Sequence, residues 1–421
     1  MLYNLQTLVL DDCLSLEELP RNIGCLKILR HLISLNFTKI QVLPESITSL
    51  HNLRTLNLSF YNRFEGLPSE FGALQQLRCI DLTAANIKVL PDSITNCHSL
   101  QILKLRCCNY LESLPSDVGV LKHLSGLNDL ETLKLGRCKL PKDIKNWRNL
   151  KHLIYVGDRE WTETPRRIGK LAFLETLPEY VVSKDIEYGG GGIGELEGLN
   201  LLEGEVKIRN LENVRDGEDA QRANLKGKKK IHHLKLHWGY RSSPDDFDPF
   251  SKFSSFPCLE KISIIRCLEL TTIPTLFPSL KKLKIDCSNG KVVSSVVRSS
   301  LTSLTSLDIF YAPELVFLPQ GLLQSNNLLQ SLRISSCPDF QGFCLYEDVE
   351  EGLSSPHFNN SSLQSLELDD CPILTSLPDI RGLTSLQILS VRGCNELKSL
   401  SNDLKCLTSI KSLNVDSIQR S

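Results

Sequence analysis

Nine histidines are scattered through 421 residues, and only His232, His233 and His237 cluster. On a strand reading His233-Leu234-Lys235-Leu236-His237 the outer two imidazoles share one face, four residues and about 13 Å apart. That gap is too wide for a single metal ion. It leaves a solvated face or, more sharply, a pH-sensitive contact for a partner. Asp245-Asp246-Phe247-Asp248 has carboxylates but lacks the glycine and terminal glutamate of a calcium loop. The glycine run Tyr188–Gly194 is followed by Glu195-Leu196 rather than Lys-Ser/Thr, so it cradles no phosphate. No G-x-S-x-G, H-E-x-x-H or C-x-x-C occurs. These residues predict no catalytic, cofactor or metal centre.

Fifteen cysteines remain to be explained. Cys13, Cys108, Cys138, Cys267, Cys337, Cys371 and Cys394 each stand three residues after the last aliphatic of a short apolar pair. A small buried thiol there can donate weakly to a backbone carbonyl as the chain turns. The expectation is a ladder of unbridged thiols in a reducing compartment. The triplets at Asn36, Asn57, Asn359 and Asn360 match glycosylation acceptors, but Met1–Cys13 has no basic-then-apolar leader. Lys and Arg (48) balance Asp and Glu (49), giving a net charge of −1, which argues against wholesale nucleic-acid binding. No apolar run reaches the length of a membrane span.

The elements that position these residues follow from Leu100–Pro115, LQILKLRCCNYLESLP. Its apolar residues are Leu100, Leu103, Leu105, Cys108, Leu111 and Leu114. Only Leu103-x-Leu105 has the period of a strand; the spacing of three elsewhere suits a chain that turns corners. Leu-Pro pairs at Leu19, Leu43, Leu67, Leu90 and Leu114 are 24, 24, 23 and 24 residues apart. Strand pairs keep the same beat at Leu8, Leu56, Ile80, Leu103 and Leu133. In the second unit the pair is either Leu35-x-Phe37 or Ile33-x-Leu35. The prolines are expected at the first position of single helical turns. The beat loosens after Pro141 and returns at Leu234, Ile262, Leu283, Leu307, Leu332, Leu366, Leu389 and Leu413. Tyr240–Pro257 and Pro338–Ser362 read as surface loops.

This is a leucine-rich-repeat pattern of roughly 16 units. The fold class is α/β: a solenoid or horseshoe with a parallel concave sheet and short helical or irregular convex segments. Three stretches are expected: regular repeats over 1–178, an irregular glycine-rich and helical segment over 179–230, and repeats with insertions over 231–421.

Within Gly189–Trp238 the order GELEGL (194–199), KIRNLENV (207–214), DAQRANLKGKKKIHHLKLHW (219–238) resembles a block inside plant disease resistance proteins. That family comprises the intracellular coiled-coil, nucleotide-binding, leucine-rich-repeat receptors. Arg166–Val182, Ser362–Pro378 and Ser385–Leu400 agree with it. The phosphate loop, the methionine-histidine-aspartate motif and the coiled coil are not in this sequence, so the chain looks like a truncated sensor region. The resemblance implies that ATP or ADP belongs to the nucleotide-binding domain and that this chain holds no cofactor. It implies as partners a pathogen effector or modified host protein, and the nucleotide-binding domain of the same receptor. It implies a cytoplasmic, nucleo-cytoplasmic or membrane-peripheral location, and places Lys226–Lys230 on a helix. A stand-alone cytosolic repeat scaffold is the alternative. An extracellular ectodomain would require a leader, paired capping cysteines and an N-x-L-x-G-x-I-P consensus.

Residues between the strand aliphatics point out of the sheet, and there the candidate protein-binding positions lie. They are Lys104, Arg106, Lys134 and Arg137, then His233, Lys235, His237, Trp238, Lys261, Arg266, Lys282, Lys284, Phe310 and Tyr311. Trp238 beside basic residues is the expected anchor, because aromatic and arginine side chains dominate binding hot spots.

Overall fold

The computed structural model describes all residues except 1–3, 11–12, 34–38, 62, 112–113, 116–130, 136–146, 156–163, 165–166, 185–191, 240–255, 257, 269, 271–276, 299–300, 320–321, 324–326, 345–361, 379, 398–399, 401 and 417–421. The chain divides into two units, Met1–Glu203 and Gly204–Ser421, so the irregular segment expected over 179–230 contributes to both.

In the first unit, one short strand per coil builds a parallel sheet of seven neighbours in chain order. These are β1 (Thr7–Val9), β2 (His31–Ile33), β3 (Thr55–Asn57), β4 (Cys79–Asp81), β5 (Ile102–Leu105), β6 (Thr132–Leu135) and β7 (His152–Tyr155). A two-residue strand, β8, covers Tyr180–Val181. The register puts Leu8, Leu32, Leu56, Ile80, Leu103, Leu133 and Leu153 in one inward row. Leu32 therefore supplies the second coil's apolar rib in place of Ile33, while Leu35 and Phe37 lie outside the described residues. Counting from Leu8 and Leu56 shows why: Leu32 lies 24 residues from each. Leu100, Leu103, Leu105, Cys108, Leu111 and Leu114 are all buried, so the corner-turning spacing does point them inward. Each such leucine contributes about 1.5–3 kcal/mol when fully buried.

Single 3₁₀ turns lie on the far side of several coils. Glu45–Ser49 and Asp92–Asn96 follow Pro44 and Pro91, whose φ of −65° comes with an extended ψ. Proline is thus the residue before the turn, not its first helical residue. Thr48 and Thr95 hydroxyls donate to the carbonyls of Glu45 and Asp92, both at 2.7 Å. Neighbouring turns interlock at glycine. A β-carbon on Gly24 would overlap the Ser46 carbonyl oxygen, and one on Gly72 would overlap that of Ser93.

In the second unit the parallel sheet runs through β9 (Gly204–Arg209), β10 (Ile231–His237), β11 (Lys261–Ile265), β12 (Lys282–Asp286), β13 (Ser306–Phe310), β15 (Ser331–Ser335), β17 (Ser365–Asp369), β18 (Ile388–Arg392) and β19 (Ser412–Asp416). A second ladder pairs β14 (Phe317–Pro319) with β16 (Gly342–Cys344), so part of the loop expected over Pro338–Ser362 is strand. Two short helices complete the unit, α1 (Gly217–Arg222) and α2 (Gly290–Arg298). Asp216 starts α1 by accepting from the Asp219 N–H at 2.8 Å. Lys226–Lys230 is not a helix: Leu225–Gly227 is one 3₁₀ turn, and Lys228 is buried. The apolar pairs from Leu234/Leu236 to Leu389/Val391 are enclosed, whereas Leu413 and Val415 of β19 are exposed.

The thiol slots form the turn out of each strand. Cys108 donates to the Leu82 carbonyl at 3.0 Å, and Cys394 to that of Leu368 at 3.6 Å. Along the second unit the same slot holds Cys267, Ser288, Ala312, Cys337, Cys371 and Cys394, all buried. Ser288 Oγ accepts from the Cys267 N–H at 3.1 Å, and Cys337 Sγ from the Ala312 N–H at 3.5 Å. The Cys337 hydrogen bond pushes the Cys371 thiol up to about 12, so it stays protonated in ordinary buffers. Cys138 lies outside the described residues.

Just before this slot the backbone turns to positive φ without glycine, at Phe60, Ala84, Cys107, Arg266, Cys287, Tyr311, Ser336 and Asp370. Such a conformation costs roughly 1–2 kcal/mol per residue. The offset is a repeated bond to the next coil: Phe60 N–H to Thr83 O at 2.7 Å, Arg266 to Asp286 at 2.8 Å, Tyr311 to Ser335 at 2.9 Å.

Candidate protein-binding face

Alternation along each strand sends one set of side chains into the core and the other out of the sheet. In the second unit the exact parallel register sorts the outward set into rows. The first row is His233, Lys261, Lys282, Ser306, Ser331 and Ser365. The second is Lys235, Ser263, Lys284, Asp308, Arg333 and Glu367, and the third is His237, Ile265, Asp286, Phe310, Ser335 and Asp369.

The second row ends in alternating charge: Lys284, Asp308, Arg333, Glu367. Lys284 pairs with Asp286 at 2.9 Å, and Arg333 reaches Asp369 at 3.3 Å and Glu367 at 3.6 Å. Lys235 and His233 both contact Glu205, at 2.5 and 2.8 Å. The basic strip is thus partly neutralised by its own strands. Burial raises the Asp308 carboxyl above its ordinary value, although Arg333 and Lys284 pull the other way.

His233 presents two opposed signals. Its contact with Glu205 favours the imidazolium, yet its pKa lies below 6.5, because burial is the largest influence and Lys235 and Lys261 act with it. The net direction follows burial, so the contact is a hydrogen bond to a neutral ring at neutral pH. The unfolded chain then takes up the proton first. His233's contribution to stability is complete above about pH 6.5 and is lost as the pH falls through the lowered folded-state value. An NMR titration should place the His233 midpoint below 6.5; a midpoint at or above that value would contradict the burial.

His237 and Trp238 depart from expectation: each is only 9% exposed. The register sets His237 between Arg209 and Ile265, whose side chains flank it on the same face. Trp238 is tied in by its N–H to the Ile265 carbonyl at 3.1 Å. Alternation predicts direction, not cover: His237 is enclosed although it stands in an outward row, and Trp238, one residue past β10, is no exposed anchor. The exposed aromatics are Phe310 (43%) and Tyr311 (46%), the latter at a positive-φ turn. Lys261, Lys282 and Lys284 are exposed, and Arg266 is half-buried.

The remaining candidates belong to the first unit. Lys104 is half-buried and bonded to Asp81 at 2.9 Å, and that bond raises its pKa. Arg106 is exposed, Lys134 is half-buried, and Arg137 lies outside the described residues. The strand β9 and helix α2 escaped sequence reasoning; Val206-x-Ile208 was the available signal for β9. Among the described residues no group of three or more His, Cys, Asp or Glu could hold a metal ion. Among them, too, no helix is long and apolar enough to cross a membrane.

Stacked parallel strands, one per coil, over inward leucines define a leucine-rich-repeat protein, a fold typical of protein-interaction modules rather than enzymes. The crystal structure of a TDR receptor has the same fold: TM-score 0.56, 17% identity, covering 99% of this chain and 68% of that one. Residues 193–337 match the family model described as R13L1/DRL21 leucine-rich repeats. Disease resistance protein RGA2 of Solanum bulbocastanum is 27% identical over 285 residues, 56% of this chain and 27% of the relative. Putative disease resistance RPP13-like protein 1 of Arabidopsis thaliana is 30% identical over 247 residues, 49% of this chain and 21% of the relative. The repeats of this chain are thus similar to the leucine-rich-repeat regions of plant disease resistance proteins. The chain spans about a quarter of the length of these curated relatives.

Proposed function

We propose that this chain is the protein-recognition and autoinhibitory repeat region of a plant innate immune receptor. On this reading it senses a pathogen effector or a host protein altered by one. The observation that carries the proposal is the family match over 193–337, which falls on the strands that present the charged and aromatic rows. A rigid array of outward side chains at fixed strand spacing suits recognition of another protein. The nucleotide-binding module of the same receptor would be the second partner, with ATP or ADP bound there and not here. A cytoplasmic location accords with this role.

Co-purification of the chain with the nucleotide-binding module of its receptor tests the reading, and stable association is expected. Failure to associate, with retained binding to an unrelated kinase, would favour a cytosolic signalling scaffold instead.

A further inference from the structure

Lys261 and Lys282 stand directly opposite each other on β11 and β12, about 4.8 Å apart across the sheet. Both are exposed. Among the described residues neither makes an ion pair. Like charges facing across a strand pair are destabilising, and the row beside them avoids that by alternating sign. Internal stability therefore does not account for the lysine pair. His233 lies in register on one side of it and the Ser306 hydroxyl on the other, so four hydrogen-bonding groups flank or form the same spot. Phe310 and Tyr311 project from the end of the adjoining strand, β13.

Resting on the recognition role above, we infer that Lys261 and Lys282 receive a carboxylate pair from an acidic segment of a protein partner, with Phe310 and Tyr311 taking an apolar residue of that segment. Two carboxylates over the two ammonium groups relieve their mutual repulsion. Seating them costs no rearrangement of the strands, whose register is already set. A nucleic-acid backbone fits less well. Crossing the strands, its phosphates would meet Asp286, Asp308, Glu367 and Asp369 on the same face.

The test uses the full chain and a labelled peptide carrying Glu-Glu followed by Phe, its Gln-Gln counterpart, and a single-stranded oligonucleotide of equal charge. The Glu peptide should bind and weaken as salt is raised. Lys261→Glu with Lys282→Glu should lower its affinity on the order of tenfold or more, with the melting temperature retained because both side chains are exposed. Lys261→Gln with Lys282→Gln should give an intermediate loss. Equal binding of the Gln peptide, indifference to the lysine substitutions, or oligonucleotide binding with the same lysine dependence would each overturn the inference. If the charge-reversed chain still holds a natural protein partner, the acidic-segment inference fails and the recognition role stands. If the unaltered chain holds no protein at all, that role fails.

Discussion

Leu103→Asp should unravel the coils around β5 rather than trim their stability. Leu103 is 2% exposed and sits in register between Ile80 and Leu133. An isolated carboxylate there has no partner to pair with, so burying it costs several kcal/mol or forces the coil open. In a stack where each coil is sheltered only by its neighbours, the damage spreads to β4 and β6. Urea denaturation should show a loss that large, and amide exchange should accelerate across Cys79–Leu135. A melting profile matching the unaltered chain would show that the inward row has been misassigned.

Gly72→Ala carries the second large effect. Its added carbon would strike the Ser93 carbonyl oxygen and lie 2.7 Å from the Asn96 β-carbon, both belonging to the next coil's turn. The backbone must give way, because neither obstacle is the tip of a flexible side chain. A loss of about 1–3 kcal/mol is expected, as for other overpacked sites. Gly66→Ala is the control: nothing lies within 4 Å of its added carbon. That variant should stay within about 0.5 kcal/mol of the parent. Equal melting temperatures for the two alanine variants would mean that the turns do not interlock.

The inward ribs were legible because leucine spacing reports directly on burial. Leu56, Ile80, Leu283 and Leu366 are enclosed as their spacing predicts. The second coil misled because HLISLNFTKI offers several aliphatics, and only the distance from neighbouring coils selects Leu32. The positive-φ turns were invisible for a physical reason. Phe60, Arg266 and Tyr311 are not residues that favour this conformation, and an inter-coil hydrogen bond imposes it. Of the candidate face, direction was legible and exposure was not. Lys261 and Lys282 point outward and are open, whereas His237 lies in an outward row yet is covered. Ion pairing was also hidden, because Lys235 finds Glu205 across 30 residues of chain.

The strand of each coil and the chain that joins it to the next answer to different rules. Leu332 and Leu366 are 34 residues apart, against 24 for Leu283 and Leu307, yet both pairs meet in perfect strand register. The strand register is thus kept whatever length of chain joins one strand to the next. A lineage can therefore lengthen or shorten one such connection by mutation while the outward rows keep their order, leaving surface chemistry to diversify one side chain at a time.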